Sequence, residues 1–220
     1  MDWTVWLRLI ERKRRMLSRL SLTTFQIPRG LLTRLTVISF RLDGLPVTDT
    51  EATEALAGVG GHRPFRSRLS QRIRNHVAIL RAIQRSLIHG TTLKVPTVLR
   101  WYTSLSCGLS TTRLDEATMD RLHNVVGRIS SPRMRLQPAV QDVARLHSQL
   151  MNDPLVPSFN GILVRLLLHY HLGRCGLPPV LLDPVNDRQR LSYESQFLPR
   201  LMDLIDASYS LLLAGGVNGG

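Results

Sequence analysis

Polar side chains that could carry chemistry gather in one short segment of the second half of the chain. Residues 152–165 include Asp153, Ser158, Asn160 and Arg165. Two prolines within the first eight residues predict a loop, and the apolar stretch that follows is typical of a buried helix. Free N–H groups at the start of a helix favour an anion or a carbonyl oxygen. We therefore expect a site here, with Asn160, Asp153 and Arg165 as the candidate catalytic residues.

The residues around this segment would give a cavity between the loop and the start of the helix a mostly apolar lining. Phe159, Val156 and Ile162 would make the pocket apolar, and an apolar cavity with a few polar groups favours a small organic ligand. The other residues assigned to the pocket or to anion binding are Ser158, Gly161, His147 and Tyr193. His147 lies on the helix before the loop, where it either points at the cavity floor or, as is more usual, is a hydrogen-bonded core histidine.

The sequence carries no metal-binding or nucleotide-binding pattern. His169 and His171 are two residues apart on a predicted helix, so their side chains point to different faces and do not share a metal ion. The remaining histidines, His76 among them, are dispersed and suggest no site. Cys107 and Cys175 lack the paired spacing of a zinc site and indicate free thiols of a reducing, cytoplasmic compartment. P-loop, dinucleotide and nucleophile-elbow motifs are absent, and we expect neither a metal nor a cofactor.

Helical periodicity runs through most of the chain and predicts an all-α fold. One stretch, residues 160–172, is apolar on nearly every face, which predicts a helix buried at the centre of a bundle. Pro138 is expected at the first position of the preceding helix, and Gly173 and Gly176 are expected to end the buried one. The other helical stretches are residues 3–20, 68–88, 114–129, 138–151 and a last one from about residue 188.

Two motifs in this arrangement resemble the Fic (Fido) family. Residues 159–167, F-N-G-I-L-V-R-L-L, with G-L-P-P at 176–179, resemble the family signature H-P-F-x-D/E-G-N-G-R-x-x-R and its downstream G-x-P-P. Residues 39–44, S-F-R-L-D-G, resemble the inhibitory motif S/T-x-x-x-E/D-G/N, whose fixed positions here are Ser39, Asp43 and Gly44. The resemblance spans residues 36–205 and implies a Fic-like helical bundle with a central buried helix.

Several chemical positions of the signature are changed in this chain. The histidine that acts as general base in the family falls on Pro154, and the acidic residue that holds Mg²⁺ falls on Ser158. The glycine of the anion hole falls on Phe159, and the first phosphate-contacting arginine falls on Ile162. Loss of a general base alone typically removes a factor of about 10² to 10⁴ in rate. The resemblance thus implies a degenerate member that does not transfer AMP.

Three positions of the signature survive, Asn160, Gly161 and Arg165. In the family the second arginine contacts the terminal phosphate of the nucleotide or pairs with the acid of the inhibitory motif, and these positions are Arg165 and Asp43 here. A buried guanidinium needs a charged partner. We therefore predict an ion pair between Asp43 and Arg165 in the core.

The net charge of +13, from 29 Lys and Arg against 16 Asp and Glu, would ordinarily point to nucleic acid. The arginines are spread along the chain, however, so nucleic acid is not the expected partner. The densest cluster, residues 12–15, follows Trp3 and Trp6 in a basic amphipathic helix. Such a helix either binds a membrane surface or an acidic partner or, more commonly, docks its apolar stripe on the core. The apolar runs predict no membrane span.

These observations divide the chain into a basic amphipathic N-terminal helix region (1–35), a Fic-like helical domain (36–210) and a flexible Gly-rich tail (211–220). The leading hypothesis is a degenerate Fic-like protein whose nucleotide cleft has become an apolar small-molecule pocket, as in a cofactor-independent cyclase, isomerase or lyase of specialised metabolism. One alternative is a non-catalytic regulatory or protein-binding module that engages a partner through the N-terminal helix. The other is an atypical protein nucleotidyltransferase (AMPylator).

Overall fold

The computed structural model describes residues 2–19, 27–57, 64–107, 114–131, 135–187 and 189–217. Within these ranges the chain forms nine α-helices and one short 3₁₀ helix, and these ranges contain no β-strand. The prediction of an all-α fold is confirmed. The α-helices are α1 (Trp3–Arg19), α2 (Arg29–Leu42), α3 (Asp49–Ala57), α4 (Pro64–Ile88), α5 (Val95–Ser106), α6 (Glu116–Ser130), α7 (Leu136–Asn152), α8 (Asn160–Arg174) and α9 (Glu194–Val217), with the 3₁₀ helix at Arg190–Ser192.

Helix α8 lies at the centre of the bundle because it is apolar on nearly every side. All residues from Ile162 to Gly173 are buried, as expected for a helix that is hydrophobic all round. Helices α2, α4, α6 and α7 pack against it. One apolar cluster joins α8 to α2, α4, α5 and α6, and a second joins it to α1, α7 and α9. The buried helix of the sequence analysis is thereby confirmed.

Two helix ends differ from the expected positions, and packing against α4 explains the first of them. Gly173 lies inside α8, where a Cβ atom would come within 2.2 Å of Leu87 Cδ1, so this glycine lets α4 approach closely and does not end the helix. The turn after α8 is made by Gly176, whose φ is +71°. Helix α7 begins at Leu136, which makes Pro138 its third residue and not its first.

The last helix also begins and ends later than the sequence indicates. Helix α9 starts at Glu194, after the 3₁₀ helix, and not near residue 188. It continues to Val217 and so takes in most of the segment 211–220 that was assigned to a tail. Residues 218–220 lie outside the described residues.

Helix α1 packs its apolar stripe against α9. Trp6 and Ile10 are fully buried there, and Trp6 Nε1 donates a hydrogen bond to Met202 O at 3.1 Å. Lys13 Nζ forms an ion pair with Asp206 Oδ1 at 2.6 Å. The docked alternative for this helix is therefore confirmed. None of the described helices combines the length and the apolar character that a bilayer crossing requires.

We predict that Trp6→Ala lowers the free energy of unfolding by about 3–5 kcal/mol, because it removes a large buried side chain and leaves a cavity between α1 and α9. The matched control is Val5→Ala on the same helix, where the side chain is 59% exposed, and we expect a change within about 0.5 kcal/mol. Urea denaturation measures both. Equal effects of the two substitutions would show that α1 is not docked.

Candidate functional site

The predicted ion pair between Asp43 and Arg165 is present in the structure. Arg165 Nη2 donates to Asp43 Oδ1 and also to Ser39 O, the latter at 2.6 Å. Arg165 Nε donates to Ser39 Oγ at 2.9 Å. The Arg165 side chain is only 2% exposed, and that of Asp43 is 16% exposed. Burial lowers the pKa of Arg165, and the Asp43 carboxylate opposes this shift by stabilising the charged guanidinium.

The Asp43 carboxylate also occupies the start of α8. Its Oδ2 accepts a hydrogen bond from the backbone N–H of Ile162 at 3.3 Å. Gly161 makes this approach possible, because a Cβ atom there would lie 2.2 Å from Asp43 Oδ1. The positive end of a helix favours an anion. The anion at the predicted anion-binding position is thus a carboxylate of the same chain.

Asn160 positions the loop between α7 and α8. Its Oδ1 accepts from Leu155 N at 2.8 Å, and its Nδ2 donates to Leu150 O at 2.9 Å. The side-chain amide therefore bridges the end of α7 and the loop. Both of its polar atoms hydrogen-bond to backbone groups, which indicates a positioning role, and the predicted catalytic role of Asn160 stays a prediction.

The other loop residues contact neighbouring helices. Phe159 has φ +56°, a left-handed backbone conformation that is unusual for a bulky residue, and the Arg72 guanidinium lies 4.6 Å above its ring. Ser158 Oγ lies 3.4 Å from Tyr102 Oη on α5. These contacts hold the side chains of the loop against α4 and α5.

The structure brings together only part of the predicted site. Asn160, Gly161, Ile162 and Arg165 lie at the start of α8 together with Asp43. Val156 and Ile162 belong to the packed core instead of lining an open pocket. The residues placed elsewhere are Asp153 at the end of α7, His147 in the core and Tyr193, which is 60% exposed.

A groove of about 510 Å³ lies between α6, the end of α7 and the loop, and we call it the α6–α7 groove. Of the predicted site residues, only Asp153 lines it. Its apolar lining is Val125, Leu146, Leu150 and Leu155, and its polar lining is Arg121, Asn124, Arg128, Gln149, Asn152 and Asp153. Sequence reasoning missed this groove because two ordinary amphipathic helices create it by packing at a distance from each other, and the period of each helix gives no sign of that gap.

Three buried histidines lie near enough to Arg165 to be influenced by its charge, a cluster that sequence spacing did not reveal. His76, His147 and His169 come from α4, α7 and α8, and burial, together with the charge of Arg165, lowers the pKa of each to about 3. The neighbouring His169 adds to the shift of the other two. The sequence analysis treats His76 as a dispersed histidine with no site, and the structure adds its proximity to His169 and Arg165. The described residues contain no group of ligands suited to a metal ion.

The contacts of these histidines fix them in the core. His76 Nδ1 lies 3.0 Å from Thr36 Oγ1, while its Nε2 and His169 Nδ1 are buried without a hydrogen-bond partner among the described residues. The His147 ring packs against Phe197 with centroids 4.7 Å apart and is buried in the core, which agrees with the core alternative in its burial but not in its hydrogen bonding. All three rings are neutral near pH 7 because their pKa values lie far below it.

We predict that Gly161→Ala destabilises the protein by about 1–3 kcal/mol, because the added methyl group overlaps the Asp43 carboxylate and displaces it from α8. Gly127→Ala on α6 is the matched control. It has no atom within 4 Å of the new Cβ and should stabilise the helix by roughly 0.5–1 kcal/mol. Chemical denaturation measures the change in the free energy of unfolding, which should have opposite signs in the two variants. A neutral or stabilising effect of Gly161→Ala would contradict the close contact between Gly161 and Asp43.

We predict that stability falls as the pH drops below about 6. The unfolded histidines take up protons near their ordinary pKa of 6.5, whereas the native ones do so only near 3. Each histidine then contributes a slope of about 1.4 kcal/mol per pH unit, or about 4 kcal/mol for the three together.

Urea denaturation between pH 7.5 and 5 measures this slope. His76→Gln should reduce it by about one third. A stability independent of pH between 6.5 and 5 would show that the buried histidines titrate normally.

No model of a known protein family matches the sequence. No curated protein matches it either. The likeness to the Fic family therefore rests on the residues already described, which are Ser39, Asp43, Gly44, Asn160, Gly161 and Arg165, and it stays a prediction from the sequence.

Proposed function

We propose that this chain is a Fic-like protein that does not transfer AMP and that binds a small organic molecule in the α6–α7 groove. The observation that carries the first part is the Asp43 carboxylate at the start of α8, paired with Arg165. The observation that carries the second part is the groove itself.

Backbone geometry supports the Fic-like part of this proposal. Phe159 stands where the family signature has a glycine, and its φ of +56° is a conformation that glycine adopts without strain. Gly44 ends the inhibitory-like motif, and its φ of +78° explains a preference for glycine or asparagine at that position. Asp43 and Arg165 make the contact that the resemblance implies for the inhibited state.

The chemistry of the loop argues against AMP transfer. Pro154 has no titratable group at the position of the general base. The fully buried, apolar Ile162 replaces the first phosphate-contacting arginine. An electrostatic site for a transferring phosphoryl group needs such donors and a metal-holding acid. The changes at Pro154 and Ile162 and the Asp43 carboxylate at the start of α8 thus all disfavour AMP transfer.

The size and lining of the α6–α7 groove support ligand binding. Small-molecule sites in proteins usually measure about 300–1,000 Å³ and combine apolar walls with a few polar groups. The groove, at about 510 Å³, combines four apolar side chains with arginines, amides and one aspartate. That aspartate, Asp153, is ion-paired with Arg121. We therefore propose binding and assign no reaction to the groove.

A second candidate function, the binding of an acidic protein partner, is supported by the outer face of α1. Arg8, Arg12, Arg15 and Arg19 are exposed there, on the side away from the buried Trp6. They form a basic stripe at helical spacing. Because the apolar side of α1 is packed on α9, only this charged side is available to a partner.

We predict that ATP with Mg²⁺ leaves the melting temperature unchanged in the wild type and in Asp43→Asn, and that neither protein transfers AMP. Small apolar and polyketide-like compounds should include one that raises Tm by about 5–10 °C at a concentration 100 times its Kd. Asn124→Trp places a large side chain at the exposed rim of the groove and should remove that shift.

Thermal shift and a transfer assay with labelled ATP measure these outcomes. A Tm shift with ATP that Arg165→Ala abolishes, or AMP transfer by Asp43→Asn, would identify an inhibited nucleotidyltransferase and contradict the first part of the proposal. A compound shift that survives Asn124→Trp would place the ligand outside the groove and contradict the second part.

A further inference from the structure

We propose that the ligand of the α6–α7 groove is an organic carboxylate with an apolar body, and that Arg121 anchors its carboxylate in the place now held by the side chain of Asp153. This inference rests on the proposed binding function of the groove. It adds the chemical class of the ligand and the residue that recognises it.

Arg121 contacts both the backbone and the side chain of Asp153, and only the side-chain contact is easily broken. Its Nη2 donates to the backbone O of Asp153 at 2.8 Å and approaches the side-chain Oδ2 at 2.7 Å. The backbone oxygen belongs to the end of α7 and keeps the guanidinium at the groove. The carboxylate, by contrast, belongs to a side chain that is 74% exposed and is able to turn into solvent.

The exposure of this pair makes its carboxylate replaceable. Exposed ion pairs contribute little to stability because water and salt screen them and two side chains must be ordered. A ligand carboxylate at the same guanidinium gains a charge-assisted hydrogen bond, and the apolar body of the ligand supplies the additional free energy of burial. The Asp153 carboxylate therefore occupies the position that we assign to the ligand carboxylate. Its displacement from Arg121 by a ligand costs little free energy.

The second arginine of the groove, Arg128, is not available to a ligand carboxylate because its own carboxylate partner is not easily displaced. Arg128 Nε and Nη2 donate to Asp142 Oδ1 at 2.9 and 2.5 Å, and its Nη1 donates to Gln149 Oε1 at 3.3 Å. The Asp142 side chain is only 14% exposed. If Arg128 turned away, the Asp142 carboxylate would be left poorly hydrated and without its charged partner. Arg128 therefore remains bound to Asp142 and helps to hold α6 to α7.

The floor of the groove defines the other half of the ligand. Val125, Leu146, Leu150 and Leu155 line it, and each is less than a tenth exposed. Since both α6 and α7 contribute to this apolar floor, it suits a chain or ring that extends away from Arg121. The exposed Asn124 and Gln149 add amide groups at the rim.

The experiment compares decanoate with decanamide by isothermal titration calorimetry at pH 7.5 on the full chain. The two probes share an apolar chain and differ in charge. We expect decanoate to bind about tenfold more tightly, as a charge-assisted hydrogen bond requires. Arg121→Gln should weaken decanoate binding by about tenfold and change decanamide binding by less than about twofold. Asp153→Asn should strengthen decanoate binding, because the competing carboxylate is gone.

The matched control is the ion pair between Arg145 and Glu194, which is similarly exposed and does not line the groove. Arg145→Gln and Glu194→Gln should leave both probes unaffected. Asn124→Trp should abolish the binding of both probes, because the large side chain at the rim blocks access to the groove.

The outcomes distinguish failure of the carboxylate recognition by Arg121 from failure of ligand binding in the α6–α7 groove. If Asn124→Trp abolishes binding but Arg121→Gln affects decanoate and decanamide equally, the carboxylate anchor is overturned and the proposed groove stands. If Asp153→Asn weakens decanoate binding, Asp153 is not a placeholder and the inference fails. If neither probe binds the wild type, or Asn124→Trp has no effect, the proposed function of the groove fails together with the inference.

Discussion

The positive charge of Arg165 at the centre of an apolar helix is the constraint on which the rest of this structure depends. Helix α8 is buried on every side, so its guanidinium has no access to water that could stabilise the charge. A buried charge of this kind requires a paired and hydrogen-bonded partner. Helix α2 supplies that partner with Asp43 and adds the hydroxyl and the carbonyl of Ser39. The contact fixes α2 against α8, and it explains why the second residue of α8 is glycine.

The same contact shapes the chemistry that is open to the chain. With a carboxylate of its own at the start of α8, the protein has an internal anion where the resemblance to the Fic family would place a phosphate. Asn160 holds the loop, and the apolar Val156 and Ile162 fill the space beside it. The open surface lies instead in the α6–α7 groove, where an exposed ion pair stands beside an apolar floor. The proposed ligand site is thus next to the loop between α7 and α8 and not inside it.

Features of the fold and the site that follow from a local sequence pattern could be predicted, whereas features made by contacts between distant helices could not. The buried helix was predictable because an apolar pattern on nearly every face specifies burial. A buried arginine requires a charged partner, and the resemblance to the Fic inhibitory motif pointed to Asp43 as that partner. The histidine cluster was not predictable, because residues 76, 147 and 169 meet only through the packing of three helices. The groove was missed for the same reason. Gly173 was misassigned as a helix end because its role is to accommodate Leu87 from another helix.

The most direct test of the central claim is a double-mutant cycle on the buried pair, with Asp43→Asn, Arg165→Met and the two combined, measured by urea denaturation at pH 7.5. Each single substitution leaves the remaining buried charge without its counter-charge and should cost about 3–5 kcal/mol. The double substitution removes both charges, so we expect it to cost less than the sum by at least about 2 kcal/mol. Costs that simply add would mean that Asp43 and Arg165 stabilise the fold independently, and would contradict the account.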